Sequence, residues 1–284
     1  MRALSMTYRS LLVLLDQDPR CAERIELAVA LARGFDAHLV GLAPTGRLQF
    51  PVFAEAGVLG GELIDRAWAL LREQADHAAA RFRQTCRRAG LASIETLVVE
   101  EDTAQALVRH AHCSDLCLLG QPDPSRPQHL LERDTLEQVL LHSARPTLVV
   151  PYAGAFAGAG RRVMVAWDDS REATRAVSDA LPLLQRAQRV DLVAWCETGD
   201  AEAAMRPRLG ALQRWLRWHG VSAEPTVECT EIPIAESMLS RAADGDVDLL
   251  VMGAWGHTRF NERLFGGATR GLLASMTLPV LMSH

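Results

Sequence analysis

The residues with chemical potential in this sequence are a set of glycines and one aspartate. Gly253, Gly256, Gly266 and Gly267, followed by Ala268 and Thr269, come directly after the apolar run 247–252. That run reads as a buried strand, and the glycines beyond it read as a loop entering a helix that continues through Leu272. Glycine reaches positive φ and lets backbone come close to a ligand, because it has no Cβ. The amides of Gly266, Gly267 and Ala268, at the head of a helix, would point outward at the positive end of its dipole, which is an anion site. Isolated glycines more often only shape turns, so the weight here falls on their spacing.

Other chemistry is less well supported. His110, His112 and Cys113 are close in sequence, but a structural zinc site wants a second ligand pair at matching spacing, and none is present. No nucleophile, base and orienting group form a set, and no phosphate loop of the Gly-Lys-Ser/Thr type occurs. The six cysteines are far apart, without a Cys-x-x-Cys pair. They read as small buried apolar residues of a reducing cytoplasm.

The chain has 284 residues, 49% apolar and 23% charged, with a net charge of −5. That composition suits two ordinary domains with one core each. No basic stripe with interleaved aromatics suggests nucleic acid, and the apolar run 11–15 is too short for a signal segment or a membrane span.

An internal repeat organises the rest. Residues 114–120 answer to 247–253 and residues 145–150 to 278–282, with one shared offset, 253 − 120 = 279 − 146 = 133. Residues 10–18 answer to 162–170, placing Asp16 opposite Asp168 at an offset of 152. The first copy therefore carries about 19 extra residues, expected after its second strand around 47–61, where Pro51, Gly57, Gly60 and Gly61 break any periodicity. Residues 1–152 form the first copy, 153–160 a small-residue linker, and 161–284 the second copy. Short, uniformly apolar strands alternating with helices imply parallel sheets covered on both faces. The fold class is α/β, with two doubly wound, five-stranded, Rossmann-like domains in tandem. Their ligand crevices lie at the carboxyl ends of the strands, where Asp168 and the Gly253 loop meet. Asp18 with Pro19 suits the N-cap and first position of the first helix, and Glu172 is placed like a capping-box partner.

The spacing of Gly253, two residues, Gly256, nine residues, Gly266 resembles the nucleotide loop of the universal stress protein family, in which Ser or Thr follows the last glycine. Here Gly267 stands in that position, so one phosphate-binding hydroxyl is missing, and Thr269 could replace it only with changed geometry. The resemblance covers the whole chain as a tandem. It implies an adenine nucleotide, ATP or AMP with Mg²⁺, in the second copy. Asp168 would face the ribose or metal region, and Gly253, Gly256, Gly266 and Gly267 would wrap the phosphates. Arg259, Arg263 and Arg270 are candidates to restore positive charge near the loop. Trp255 and His257 are expected to pack. In the first copy Gln121, Pro122 and Asp123 follow Gly120, and no glycine occurs from 121 to 153, so that loop is not expected to bind nucleotide. The resemblance further implies a stress or signalling module, with at most slow ATP hydrolysis. A scaffold acting through protein partners is the alternative. The fifth strands, 147–150 and 280–282, are expected to pair across a pseudo-twofold axis as an intramolecular dimer, with a homodimer as a further step.

Overall fold

Leu11, Val13 and Leu15 contribute to one hydrophobic core, while Leu12 and Leu14 contribute to another. A strand that is apolar at every position must be covered on both faces, and the period of two sends alternate side chains to opposite sides. The computed structural model describes residues 7–46, 61–196, 199–255 and 265–284. Most of the expected insertion (47–60), Gly256, His257, Arg259 and Arg263 lie outside these residues.

The N-terminal half runs β1 (Ser10–Leu14), α1 (Cys21–Phe35), β2 (His38–Pro44), α2 (Gly61–Arg88) and β3 (Ile94–Val99). It continues through α3 (Thr103–Ala111), β4 (Leu116–Gly120), α4 (His129–His142) and β5 (Thr147–Val150). The C-terminal half repeats the order as β6 (Arg162–Ala166), α5 (Arg171–Leu184), β7 (Arg189–Cys196), α6 (Gly199–Trp218) and β8 (Glu224–Cys229). Then come α7 (Ile234–Asp244), β9 (Leu249–Gly253), α8 (Phe265–Ser275) and β10 (Val280–Ser283). Part of the extra length in the first copy is helix, since α2 has 28 residues where α6 has 20.

The two five-stranded sheets join into one, in the order β3-β2-β1-β4-β5-β10-β9-β6-β7-β8. Within each half every pairing is parallel. The halves meet where β5 and β10 run antiparallel, with Val149 opposite Val280, Leu148 opposite Leu281 and Thr147 opposite Met282. This is the expected pairing of the fifth strands, and it removes the edge that each half would otherwise expose. One face of the sheet is covered by α1, α2, α5 and α6, and the other by α3, α4, α7 and α8. Gln121 adds a polar tie across the seam, donating from Nε2 to the Leu273 carbonyl at 2.8 Å.

Two equivalent aspartates fasten the central strands. Asp115, just before β4, accepts from the Arg9 and Ser10 amides at 2.6 and 3.0 Å. Asp248, just before β9, accepts from the Gly160, Arg161 and Arg162 amides at 2.9, 2.9 and 3.1 Å. Three converging donors to one carboxylate make these strong hydrogen bonds. Asp248→Ala is expected to lower stability by about 2–3 kcal/mol in chemical denaturation.

The helix starts differ in detail from the sequence expectation. Asp18 does not cap α1: its Oδ1 accepts from the Arg20 amide at 2.7 Å, closing a turn before the helix begins. Gly34 lies inside α1, which closes at Asp36 with φ 54°. In α5 the cap is Ser170, whose hydroxyl accepts from the Ala173 amide at 3.1 Å. Glu172 is therefore one position short of a capping box, and its buried carboxylate pairs with Arg171 instead.

Candidate functional site

The site grows from the turn between β6 and α5. Beyond β6 the Trp167 amide still donates to the Val193 carbonyl at 2.9 Å, so the chain stays beside β7 for one more residue. Asp168 Oδ1 then accepts from the Ser170 amide at 3.0 Å. Asp169 takes the left-handed conformation, φ 63°. Arg208 on α6 holds its carboxylate with two bonds of 2.6 and 2.8 Å. Side chains thus fix the turn that presents Asp168. Asp16 makes the equivalent bond in the first copy, accepting from the Asp18 amide at 3.1 Å. The strand-end aspartate therefore shapes its turn in both halves.

Gly253 ends β9 directly beneath the first turn of α5. A Cβ there would lie 2.5 Å from the Ala173 nitrogen and 2.7 Å from the Glu172 carbonyl carbon. This glycine makes room for the protein's own helix, where the sequence suggested room for a phosphate. After it, Trp255 takes φ 46°, and its amide donates to the buried Thr269 hydroxyl at 3.5 Å. Thr269 thereby ties the start of the glycine loop to α8.

Between these elements lies a narrow crevice, with about 40 Å³ of water-accessible space, that Asp168, Gly253, Ala268 and Thr269 all reach. Its walls are largely apolar, with Trp167, Trp195, Met238, Met252 and Trp255 prominent. Trp195 is held in place, since its Nε1 donates to Ser237 Oγ at 2.9 Å, and Ser237 donates to Glu228 at 3.1 Å. Arg241 completes the chain on Glu228 at 2.7 Å. A polar-ended aromatic with a fixed partner is a rigid wall. Gly267 faces an adjoining outer groove that shares Ile234 and Ala268 with the crevice, and open space surrounds the position of its missing Cβ. Gly266 is the second residue of α8. Arg270 lines a different groove, against α4, and does not add charge here.

Residues 160–284 match the model of the universal stress protein family. The C-terminal half is a universal stress protein domain. Over nearly the whole chain the fold is similar to a crystal structure of a universal stress protein from Archaeoglobus fulgidus DSM 4304. The TM-score is 0.70 at 16% identity, covering 96% of this chain and 95% of that one. It is also similar to a functionally unknown protein from Pseudomonas aeruginosa PAO1, with TM-score 0.60 at 16% identity over 97% and 92% of the two chains. At such identities the likeness speaks for the fold. No curated protein sequence matches the chain.

The corresponding crevice of the N-terminal half is filled from within. Arg24 of α1, 1% exposed, runs across the ends of β1 and β4. It donates to the Leu14 carbonyl at 3.1 Å and to Asp16 at 2.7 Å. Its guanidinium lies 2.5 Å from where a Cβ on Gly120 would stand. Gly120 thus matches Gly253 of the universal stress domain in position, with an arginine over it in place of a helix turn. The loop after β4 is fastened down as well, because Arg126 pairs with Asp18 at 2.7 Å and with Glu132 at 3.3 Å. Burial raises the Glu132 carboxyl above its ordinary pKa, against the pull of Arg126. No local sequence pattern reveals this network, because its members sit in the β1–α1 turn, α1, the loop after β4 and α4.

The cysteines also depart from expectation. Cys113 and Cys229 are exposed, where six buried thiols were expected, and Cys196 and Cys229 are register partners on β7 and β8. Among the described residues no three His, Cys, Asp or Glu side chains group to hold a metal. No helix there is long and apolar enough to cross a membrane.

Proposed function

We propose that the universal stress domain binds an adenine nucleotide, ATP or AMP, in its crevice, and that the protein is a nucleotide-binding stress or signalling module with one such site per chain. The observation that carries this reading is the convergence on one crevice of an apolar, tryptophan-walled slot, the Asp168 carboxylate and the first turn of α8. Each part suits one part of a nucleotide. A flat base gains from aromatic and methionine walls, a carboxylate accepts from ribose hydroxyls, and helix-terminal amides take phosphate. Mg²⁺ would enter on the phosphates, since among the described residues protein carboxylates do not group around a metal position. The hydroxyl missing at Gly267 costs about 1.5–3 kcal/mol, or roughly ten- to a hundredfold in affinity. That places binding in a weaker range without abolishing it.

Two substitutions test the reading. Asp168→Ala removes the ribose acceptor and is expected to weaken ATP and adenosine alike. Gly267→Asp has open space for its side chain, and an acid in the first turn of a helix favours the helix. It should leave the melting temperature unchanged or higher, weaken ATP at least tenfold, and leave adenosine nearly untouched. Equal ATP affinity in wild type and Gly267→Asp would refute phosphate binding at α8. Absence of binding by any of them would leave the scaffold reading, in which paired domains act through protein partners.

A further inference from the structure

Cys196 is the last residue of β7 and Cys229 the last of β8, and they form the final rung of that parallel ladder. Their Sγ atoms are 2.9 Å apart, so both side chains leave the sheet on one face and point at each other. A disulfide needs its sulfurs at about 2.05 Å and its Cα atoms about 4.4–6.8 Å apart. Neighbouring strands lie about 4.7–4.9 Å apart. The bond therefore needs a shift of under an ångström in side chains that already face one another, and none in the strand spacing.

The two thiols are not equivalent. Cys229 is exposed while Cys196 is 8% exposed, so an oxidant from solvent meets Cys229 first and the sheltered sulfur lies directly behind it. The other cysteines lack this arrangement: Cys21, Cys86 and Cys117 are buried, and burial pushes the Cys86 and Cys117 thiols up to about 11 and about 12. The hydrogen bond with Cys196, followed by burial and the Glu202 carboxylate 3.5 Å away, likewise pushes Cys229 up to about 12. Cys229 thus rests as a protonated thiol at neutral pH, and its chemistry runs through a small thiolate fraction.

We propose that Cys196 and Cys229 are a redox pair that a hydroperoxide converts to a disulfide joining the carboxyl ends of β7 and β8. The Cys229 thiolate attacks the hydroperoxide's terminal oxygen, the O–O bond breaks, and an alcohol, or water from hydrogen peroxide, leaves with the proton that Cys229 gave up. The Cys229 sulfenic acid is then attacked by Cys196 sulfur. The S–S bond forms, the S–O bond breaks, and hydroxide departs as water with the Cys196 proton. Two electrons pass from the thiols to the peroxide, and a dithiol reductant reverses the change. The link forms one residue from Trp195, a wall of the crevice.

The test uses the full chain carrying Cys113→Ser, which removes the other exposed thiol, treated with hydrogen peroxide. The expected result is a fall from five titratable thiols to three, a 196–229 linked peptide in a non-reducing map, and recovery of all five with dithiothreitol. Adding Cys196→Ser should abolish the link and carry Cys229 on to sulfinic acid. Cys229 reaching sulfinic acid while Cys196 remains a thiol in the chain that retains both would overturn the proposal. So would survival of all five thiols at peroxide levels that oxidise Cys113 in the unsubstituted protein.

Discussion

Gly253→Ala is expected to destabilise the C-terminal half by about 3 kcal/mol or more. The added methyl would meet the Ala173 nitrogen at 2.5 Å, the Glu172 carbonyl carbon at 2.7 Å and the Glu172 Cβ at 2.9 Å. Two of those atoms are backbone of a helix held by its Ser170 cap and buried along Ala173, Ala176 and Val177. No rotamer change relieves the overlap, so α5 must move away from β9 and open the core. Overpacking of this kind costs about 1–3 kcal/mol, and more when backbone must shift. For a chain of this size that lowers the melting temperature by roughly ten degrees. Gly267→Ala is the control. Its Cβ meets nothing within 4 Å, so the change should be neutral or stabilising by up to about 1 kcal/mol. Two glycines of one sequence motif then separate by several kcal/mol, in thermal or chemical unfolding. Equal effects would show that β9 and α5 are not in the contact described.

Arg24→Ala is expected to cost about 3 kcal/mol, in the N-terminal half. It strips the Leu14 carbonyl of a buried partner, leaves Asp16 without its ion pair and opens the space the side chain fills. Breaking a buried pair by removing one member costs about 3–5 kcal/mol. The lower end applies, because Asp16 is 32% exposed and water can reach it. Replacing both members should hurt less than removing one, so Arg24→Met with Asp16→Asn is expected to recover part of the loss. A double-mutant cycle on chemical denaturation measures that coupling, and strictly additive single effects would contradict the pairing.

The architecture was legible in the sequence because it rests on local signals. The apolar runs of β1, β5 and β6 fill strands with both faces covered, and the repeat offset of 133 alone sets β4 against β9 and β5 against β10 as equivalents. The pairing of β5 with β10 was expected from the family resemblance, which offered two edge strands that needed cover. Contacts across elements leave no such trace. Gly253 reads like a phosphate glycine, yet its nearest neighbours belong to α5, and only the packing distinguishes the two roles. The missing glycines after Gly120 were visible in the sequence. Arg24 lying over Gly120, and Arg126 pairing the loop to Asp18, were not. The Cys196–Cys229 pair was hidden for the same reason, because register brings together residues that have no spacing motif.

The proposed function gives each chain a single nucleotide site, in the C-terminal half, with Arg24 over the corresponding position of the N-terminal half. Calorimetric titration of the 284-residue chain with ATP and Mg²⁺ tests this most directly. Saturable heat with a stoichiometry of one is expected, lost in Asp168→Ala and unchanged in Asp16→Asn. Two equivalent sites per chain, or no heat and no thermal shift at millimolar ATP, would contradict it.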